Sequence, residues 1–234
     1  MHPDTDIVIT CRITREFAHV EEDITKCVET LKHHTHAFRP IFVDDDSDQQ
    51  GSAVIQSLAA QFPYGLYIKT NHQRWFTRAV NLGLRMIRTP YAAVLNCDTL
   101  YGTGWLEELY SVKDEVESTV GKVGLIGSVL NGDEPRRYML SVGQDYVTGH
   151  AWLLNMQAMY EVSAVRGTHG YYLDETHPHN IHIRSDVAIC WDLNKLGWQC
   201  VKSFKSAVGH LSGRTWGHQL GRIPGSLDAV NDKY

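Results

Sequence analysis

The chain has 234 residues, of which 43% are apolar and 21% charged, and a formal net charge of −5. That length can hold one good-sized core and that apolar fraction excludes a disordered chain, so a single domain spanning 1–234 is expected. The acidic balance speaks against the basic footprint of a general nucleic-acid binder, and no stretch approaches the roughly 20 apolar residues of a membrane span.

The opening segment, MHPDTDIVIT, has no basic flank and only a short apolar run, so it does not read as a secretory signal. Asp6–Thr10 is β-branched and apolar, as expected for a buried strand running into a loop. Glu21–His34 follows as a helix: Ile24, Cys27, Val28 and Leu31 fall at helical spacing behind acidic residues that suit a helix N-terminus. Pro40–Val43 reads as a second strand, which completes a strand, helix, strand unit. The alternation continues with a helix over Ala53–Phe62, a strand over Leu66–Lys69, a helix over Phe76–Ile87 and a strand over Tyr91–Leu95. Beyond it come a helix over Trp105–Val112, a strand over Val123–Leu130, an apolar run at Ala151–Met156 and a helix near Asp186–Leu196. Such alternation predicts an α/β fold, with a mostly parallel central sheet flanked by helices on both faces. Gly167–His182 reads as a long loop of the kind that forms lids or acceptor walls, and the Gly-rich stretch after Gly213 as a flap or a frayed end. Cys11, Cys27, Cys97, Cys190 and Cys200 are scattered without a CxxC pair, which fits a reducing, cytoplasmic setting better than a disulfide framework or a zinc site.

In an open parallel sheet, ligands bind outside the carboxyl ends of the strands. Two predicted strands end in acid: Pro40–Val43 runs into Asp44-Asp45-Asp46-Ser47-Asp48, and Tyr91–Leu95 runs into Asn96-Cys97-Asp98. Carboxylates from distant parts of the chain can thus meet in one crevice, where hard oxygen ligands suit Mg2+ or Mn2+. The plainer alternatives are helix capping by the Asp44 cluster and an Asx turn at Asn96 and Asp98.

Several ordered segments resemble family 2 glycosyltransferases of the GT-A fold, a Rossmann-like α/β architecture. IFVDDDSD is similar to that family's strand ending in V-D-D-G-S, YIKTN with TRAVNLGL to its N…A-x-N-x-G segment, and AVLNCDTLYGTGWLEEL to its L-N-P-D-T…G-W-L-E-E-L segment. VGLIGSVLN, the Gly149-His150-Ala151 turn, GYYLDE and SDVAICWDLNKLGW follow in the family's order, so the resemblance runs from about Asp6 to His210. It implies a nucleotide-sugar-binding half over about 1–110, an acceptor and catalytic half over about 111–212, and a tail over 213–234. It also implies an inverting transfer from a UDP- or dTDP-sugar to a hydroxyl of a saccharide or other acceptor, assisted by Mn2+ or Mg2+.

By the same resemblance, Asp45 faces the nucleotide base, where a carboxylate can accept from a uracil or thymine N–H, with Asp44 and Ser47 supporting the turn. Thr10 and Arg12 after the first strand, Asn71, Arg78 and Asn81 on and before the third helix, and Asn96 complete the donor-binding set. Asp98 stands for the last carboxylate of the D-x-D motif and holds the cation against the diphosphate. Asn96 replaces the motif's first Asp, a variant found among rhamnosyltransferase-like members, and keeps a carbonyl oxygen for a ribose hydroxyl or a metal-bound water. His210, in SAVGHLSG, matches a late histidine that completes the metal shell. Asp186, in Arg184-Ser185-Asp186, occupies the place of the family's E-D base and takes the acceptor's proton, while Ser185, Ala188 and Asp192 depart from the family's residues.

His33, His34 and His36 end a predicted helix, where polar side chains settle, and His177, His179 and His182 lie in the long loop without a standard ligand spacing. Arg74, Arg78, Arg85 and Arg88 put positive charge on and before one helix, which a solvated face explains. Trp75, Trp152, Tyr171 and Tyr172 are candidates for stacking on a sugar or base, with core packing as the commoner explanation. The departures at Asn96, Ser185 and Ala188 leave a second reading, a non-catalytic nucleotide-sugar or carbohydrate-binding module. Glycosylation of a modified DNA base is a further alternative that the acidic charge disfavours. A nucleotidyltransferase of the same fold needs a glycine-rich loop after the first strand, and Thr10–Thr14 has no glycine. No motif bears on oligomeric state.

Overall fold

The structure, a computed structural model, describes residues 5–129, 134–143, 145–168, 170, 172–173, 175 and 185–211. The tail after Gly213, His177, His179 and His182 of the long loop, Tyr171 and Arg184 lie outside the described residues.

β1 (Thr5–Cys11) is buried at every position and lies between β2 (Phe38–Asp44) and β4 (Tyr91–Asn96), parallel to both. β3 (Leu66–Lys69) adds parallel to β2 at one edge. Beyond β4 come β8 (Ala151–Asn155), β6 (Val123–Ser128), β9 (Gln199–Ser203) and β7 (Tyr138–Ser141), giving an eight-stranded sheet ordered β3-β2-β1-β4-β8-β6-β9-β7. β8 opposes both β4 and β6, and β7 opposes β9, while the remaining strands share one direction. The mostly parallel sheet expected from the alternation therefore forms. A separate two-stranded sheet pairs β5 (Thr99–Tyr101) antiparallel with β10 (Val208–His210).

Helices cover both faces. α1 (His19–His34), α2 (Gln49–Ala60) and α4 (Trp105–Thr119) bring Ile24, Leu31, Ile55, Trp105 and Leu109 to one core with Ile7 and Ile9. α3 (Trp75–Leu84), α5 (Met156–Arg166) and α6 (Ser185–Lys195) bring Val80, Leu84, Met159 and Ile189 to the other with Val8, Val94 and Leu154. Successive strand residues face opposite sides, so the middle of a strand buried on both sides is apolar on both, as Ile7-Val8-Ile9 is in β1.

Element ends differ from the predicted ones for local reasons. α2 begins one turn before Ala53 because Asp48 caps it, accepting from the Gly51 amide at 2.9 Å. α4 runs well past Val112 because its last turns are solvated apart from Val116 and carry the Lys113–Glu117 pair, so they show no apolar stripe. α5 is unannounced by the pattern: MQAMYEVSAVR has apolar residues on several sides, and Asn155 starts it by accepting from the Gln157 and Ala158 amides. β5, β7 and β10 are too short to display a period. No helix among the described residues is long and apolar enough to cross a membrane.

Candidate active site

The parallel strands β1, β2, β4, β6 and β9 end at one edge of the sheet, where the functional side chains collect. β2 ends in Asp44, which has no exposed surface. Its Oδ1 accepts from the Ser47 amide at 2.8 Å, and its Oδ2 from Ser52 Oγ at 2.6 Å and Tyr67 OH at 2.7 Å. Ser47 Oγ accepts from the Ile13 amide at 2.9 Å, and the Asp45 amide donates to the Cys11 carbonyl at 2.8 Å. These bonds lace the loop after β2 to the loop after β1. Asp44 and Ser47 thus hold the turn, with the Asp44 carboxylate enclosed and bonded within the protein. Asp46 takes the glycine place of V-D-D-G-S at φ 68°, a left-handed conformation that Asp tolerates better than most residues.

Asp45, which the resemblance sets against the base, is held at the start of α3. It is 2% exposed, its Oδ1 accepts from the Arg74 amide at 2.6 Å and its Oδ2 from the Trp75 amide at 2.8 Å. The amides at the start of α3, with their positive end of the helix dipole, have captured the carboxylate. Burial raises its pKa, against the pull of those two bonds. Asn81 is completely buried, donates to the Leu173 carbonyl at 2.8 Å and to Glu175 Oε1 at 2.9 Å, and accepts from the Leu173 amide at 2.8 Å. It clasps a distant segment of the chain. Arg78, one turn earlier, sits 3.6 Å from Glu175 Oε2. Asn71 is exposed after β3 and bonds His72 at 2.9 Å. Arg12 lines a cleft of about 780 Å3 with Thr14, Arg15, Asp48 and Gln50, within the size range of ligand pockets.

The end of β4 is different. Thr10 and Asn96 stand side by side in register, and Thr10 Oγ1 and Asn96 Oδ1 are buried with no hydrogen-bond partner among the described residues. His150 Nε2 is in the same condition. The β5–β10 pairing sets His210 opposite Thr99, and His210 Nε2 lies 3.1 Å from Oδ1 of Asp98, which is 1% exposed. The Leu211 amide donates to the Asp98 carbonyl at 2.9 Å, and the Asn96 amide to the His150 carbonyl at 3.0 Å. Burial, and then the neighbouring His210, push the His150 imidazole down to about 4, against the nearby Asp98. A buried polar atom without a partner costs about 1–3 kcal/mol, so a group of them around one carboxylate marks a surface shaped for a polar ligand. His150 was legible only as part of the Gly149-His150-Ala151 turn, which carried no role of its own.

The residues fit a divalent cation. Cis ligands of an octahedral ion at about 2.1 Å stand about 3 Å apart, which is the Asp98–His210 separation, and a carboxylate with an imidazole is a donor set that such ions accept. Among the described residues no three His, Cys, Asp or Glu side chains already converge on one point. Asp98 and His210 would therefore hold a cation as a pair, with phosphate oxygens and water around it.

Asp186 opens α6 at the same edge, because the helix runs away from that edge and feeds β9, which returns to it. It is half-buried, its Oδ1 accepts from the Val187 amide at 2.9 Å, and burial pushes its carboxyl up to about 6. Tyr146 is close enough for Asp186 to raise its phenol, after burial. Asp192 bonds Arg166 and Ser185 is buried, so two of the departures from the family's pattern are structural in this chain. Trp152 is fully buried and Tyr172 nearly so, which makes both packing residues.

Among solved structures, the mannosyltransferase PcManGT from Pyrobaculum calidifontis, in complex with GDP-Man and Mn2+, is similar with a TM-score of 0.66 at 12% identity, over 100% of this chain and 66% of its own. S. aureus TarS 1–349 is similar with a TM-score of 0.62 at 11% identity, over 90% of this chain and 61% of its own. The chain thus spans about two thirds of the length of these structures, and at such identities the likeness is one of fold. No curated protein gives a significant match. The family model for glycosyl transferase family 2 matches residues 7–165, from within β1 into α5 and short of Asp186 and His210. Since the match takes in more than half of the chain and the fold is the GT-A fold, the chain belongs to glycosyltransferase family 2.

Proposed function

We propose that the protein transfers a sugar from a nucleotide sugar to a hydroxyl of a saccharide or similar acceptor, with inversion at the transferred carbon. The observation that carries this is the paired Asp98 and His210 beside the buried, unbonded polar atoms of Thr10, Asn96 and His150, at the carboxyl edge of a glycosyltransferase family 2 sheet. Asp98 and His210 would hold Mn2+ or Mg2+, which offsets charge on the departing nucleoside diphosphate. Asn96 offers its carbonyl oxygen to a ribose hydroxyl or a cation-bound water. Arg12, on its cleft, faces the nucleoside end of the donor. Asp186 takes the proton of the acceptor hydroxyl as that oxygen bonds to the anomeric carbon and the diphosphate leaves from the opposite side. A carboxyl pushed to about 6 is ionised at neutral pH and still basic enough for the task. The free, buried cysteines suit a reducing, cytoplasmic setting.

The base of the donor is open between the uracil or thymine that the sequence resemblance implies and the guanine of the similar mannosyltransferase complex. UDP-, dTDP- and GDP-sugars are therefore offered together with Mn2+, and donor hydrolysis and transfer are followed. Asp98→Ala is expected to abolish turnover and cation binding. Asp186→Asn is expected to lower turnover by about 10²–10⁴-fold while donor binding persists. Donor binding without turnover in the wild type, indifferent to Asp186→Asn, would identify a binding module instead.

A further inference from the structure

The segment that leads into β8 is anchored on both sides of one exposed aromatic residue, Tyr146. After it, the Val147 amide donates to Cys190 Sγ at 3.4 Å, and the Val147 carbonyl accepts from the Trp152 indole N–H at 3.2 Å. The Val147 side chain is completely buried over Gly127 of β6, where an added Cβ would overlap Val147 Cγ1. Before it, Asp145 is ion-paired with Lys202 of β9, and its amide donates to the Val142 carbonyl at 3.2 Å. Tyr146, between these anchors, is 37% exposed. Asp186 and Cys190 stand one turn apart on one face of α6, so the bond to Cys190 brings Tyr146 alongside Asp186. The same proximity shows in the Tyr146 phenol, which burial and then Asp186 push above its ordinary pKa.

We propose that Tyr146 is the acceptor platform: a pyranose ring lays its apolar C–H face on the exposed phenol ring with one hydroxyl directed at Asp186, so the acceptor is a ring sugar and not an open-chain polyol. The inference rests on the transferase reading above and names the acceptor class within it. A pyranose has a face of C–H groups and a rim of hydroxyls, and an aromatic side chain meets such a face with a large contact area at low entropic cost. A flexible polyol has no flat face to match and loses more rotational freedom on binding. Val147 and the Asp145–Lys202 pair fix the backbone on either side, so the ring is set before an acceptor arrives. Such preorganisation holds the acceptor hydroxyl within reach of the base. Tyr146 binds and orients, while the proton goes to Asp186.

The full chain is assayed with Mn2+ and UDP-, dTDP- and GDP-sugars, with methyl pyranosides of glucose, galactose and mannose as acceptor probes beside ribitol and glycerol, and products are followed by mass spectrometry. Transfer is expected to at least one pyranoside and to neither polyol. Tyr146→Ala is expected to raise the KM for that pyranoside about ten-fold or more, with kcat moved less and nucleotide affinity held. Tyr146→Phe, which keeps the ring, is expected to stay within about two-fold of the wild type. Saturation-transfer NMR on the wild type with nucleotide, Mn2+ and the pyranosides is expected to light up the protons of one ring face, a result independent of how any variant folds. Equal use of a polyol, no pyranoside bound or used, an unchanged acceptor KM in Tyr146→Ala, or Tyr146→Phe as damaging as Tyr146→Ala overturns the proposal. Donor hydrolysis that needs Asp98, without any pyranoside binding, removes the platform and leaves the transferase reading standing. A wild type that neither binds nor hydrolyses a donor removes the transferase reading, and the platform with it.

Discussion

Asp186 shows how one carboxyl can serve chemistry at the expense of the fold. Burial raises its folded pKa to about 6, above the ordinary 3.8, so between these values the folded state binds more protons than the unfolded one. Its contribution to stability is fully present below the unfolded pKa and is lost as pH rises through about 6. Asp186→Asn should therefore be more stable than the wild type by on the order of 2 kcal/mol at pH 7.5, with the gain vanishing near pH 4. Urea unfolding at the two pH values measures this; an equal gain at both would remove the titration as its cause. In the wild type, turnover should fall about ten-fold per pH unit below about 6, as the base becomes protonated. Asp46 offers a test without chemistry. Its φ of 68° stands where the family motif has glycine, so Asp46→Gly should stabilise by about 0.5–1 kcal/mol, read as a higher Tm.

At the scale of elements, α3 is placed by contacts on several sides. Asp45 holds its first amides, Gly83 lets its backbone settle on β1, and Asn81 ties it to Leu173 and Glu175. A Cβ on Gly83 would lie 2.4 Å from Val8 Cγ1, so Gly83→Ala must lift the helix from the sheet, at about 1–3 kcal/mol in denaturant unfolding. Asn81→Ala should cost about 2–3 kcal/mol by leaving the Leu173 amide and carbonyl unbonded. It should also speed proteolysis near Leu173 without changing donor affinity; weakened donor binding at unchanged stability would instead give Asn81 the donor role. The A-x-N-x-G pattern set Asn81 in the donor-binding set, and its bonds to Leu173 and Glu175 were not legible because those partners lie far along the chain. The amide partners of Asp45 were not legible for a related reason: which donors reach a carboxylate depends on where α3 starts in space.

Across the whole molecule, β8 is the seam. It runs antiparallel between β4 and β6, and its Trp152 is fully buried with the indole N–H on the Val147 carbonyl at 3.2 Å. A sheet continuous through that strand should unfold as one unit, with tryptophan fluorescence and far-ultraviolet circular dichroism reporting coincident transitions. Trp152→Ala should cost about 3–5 kcal/mol, and two separated transitions in the wild type would show independent halves. The α/β class, the mostly parallel sheet and Asp98 at a strand end were all legible beforehand, because apolar periodicity and strand-end polarity are local consequences of burial on two faces. The helix cap at Asn155 and the short strands β5 and β10 were not, since a single cap and three residues carry no period. What tertiary structure alone decided is who meets whom at the edge: β10 folds back on β5 and delivers His210 to Asp98, and the turn before β8 sets His150 beside them. Those encounters join residues far apart in the chain, and their strength comes from shared burial, which no spacing along the sequence encodes.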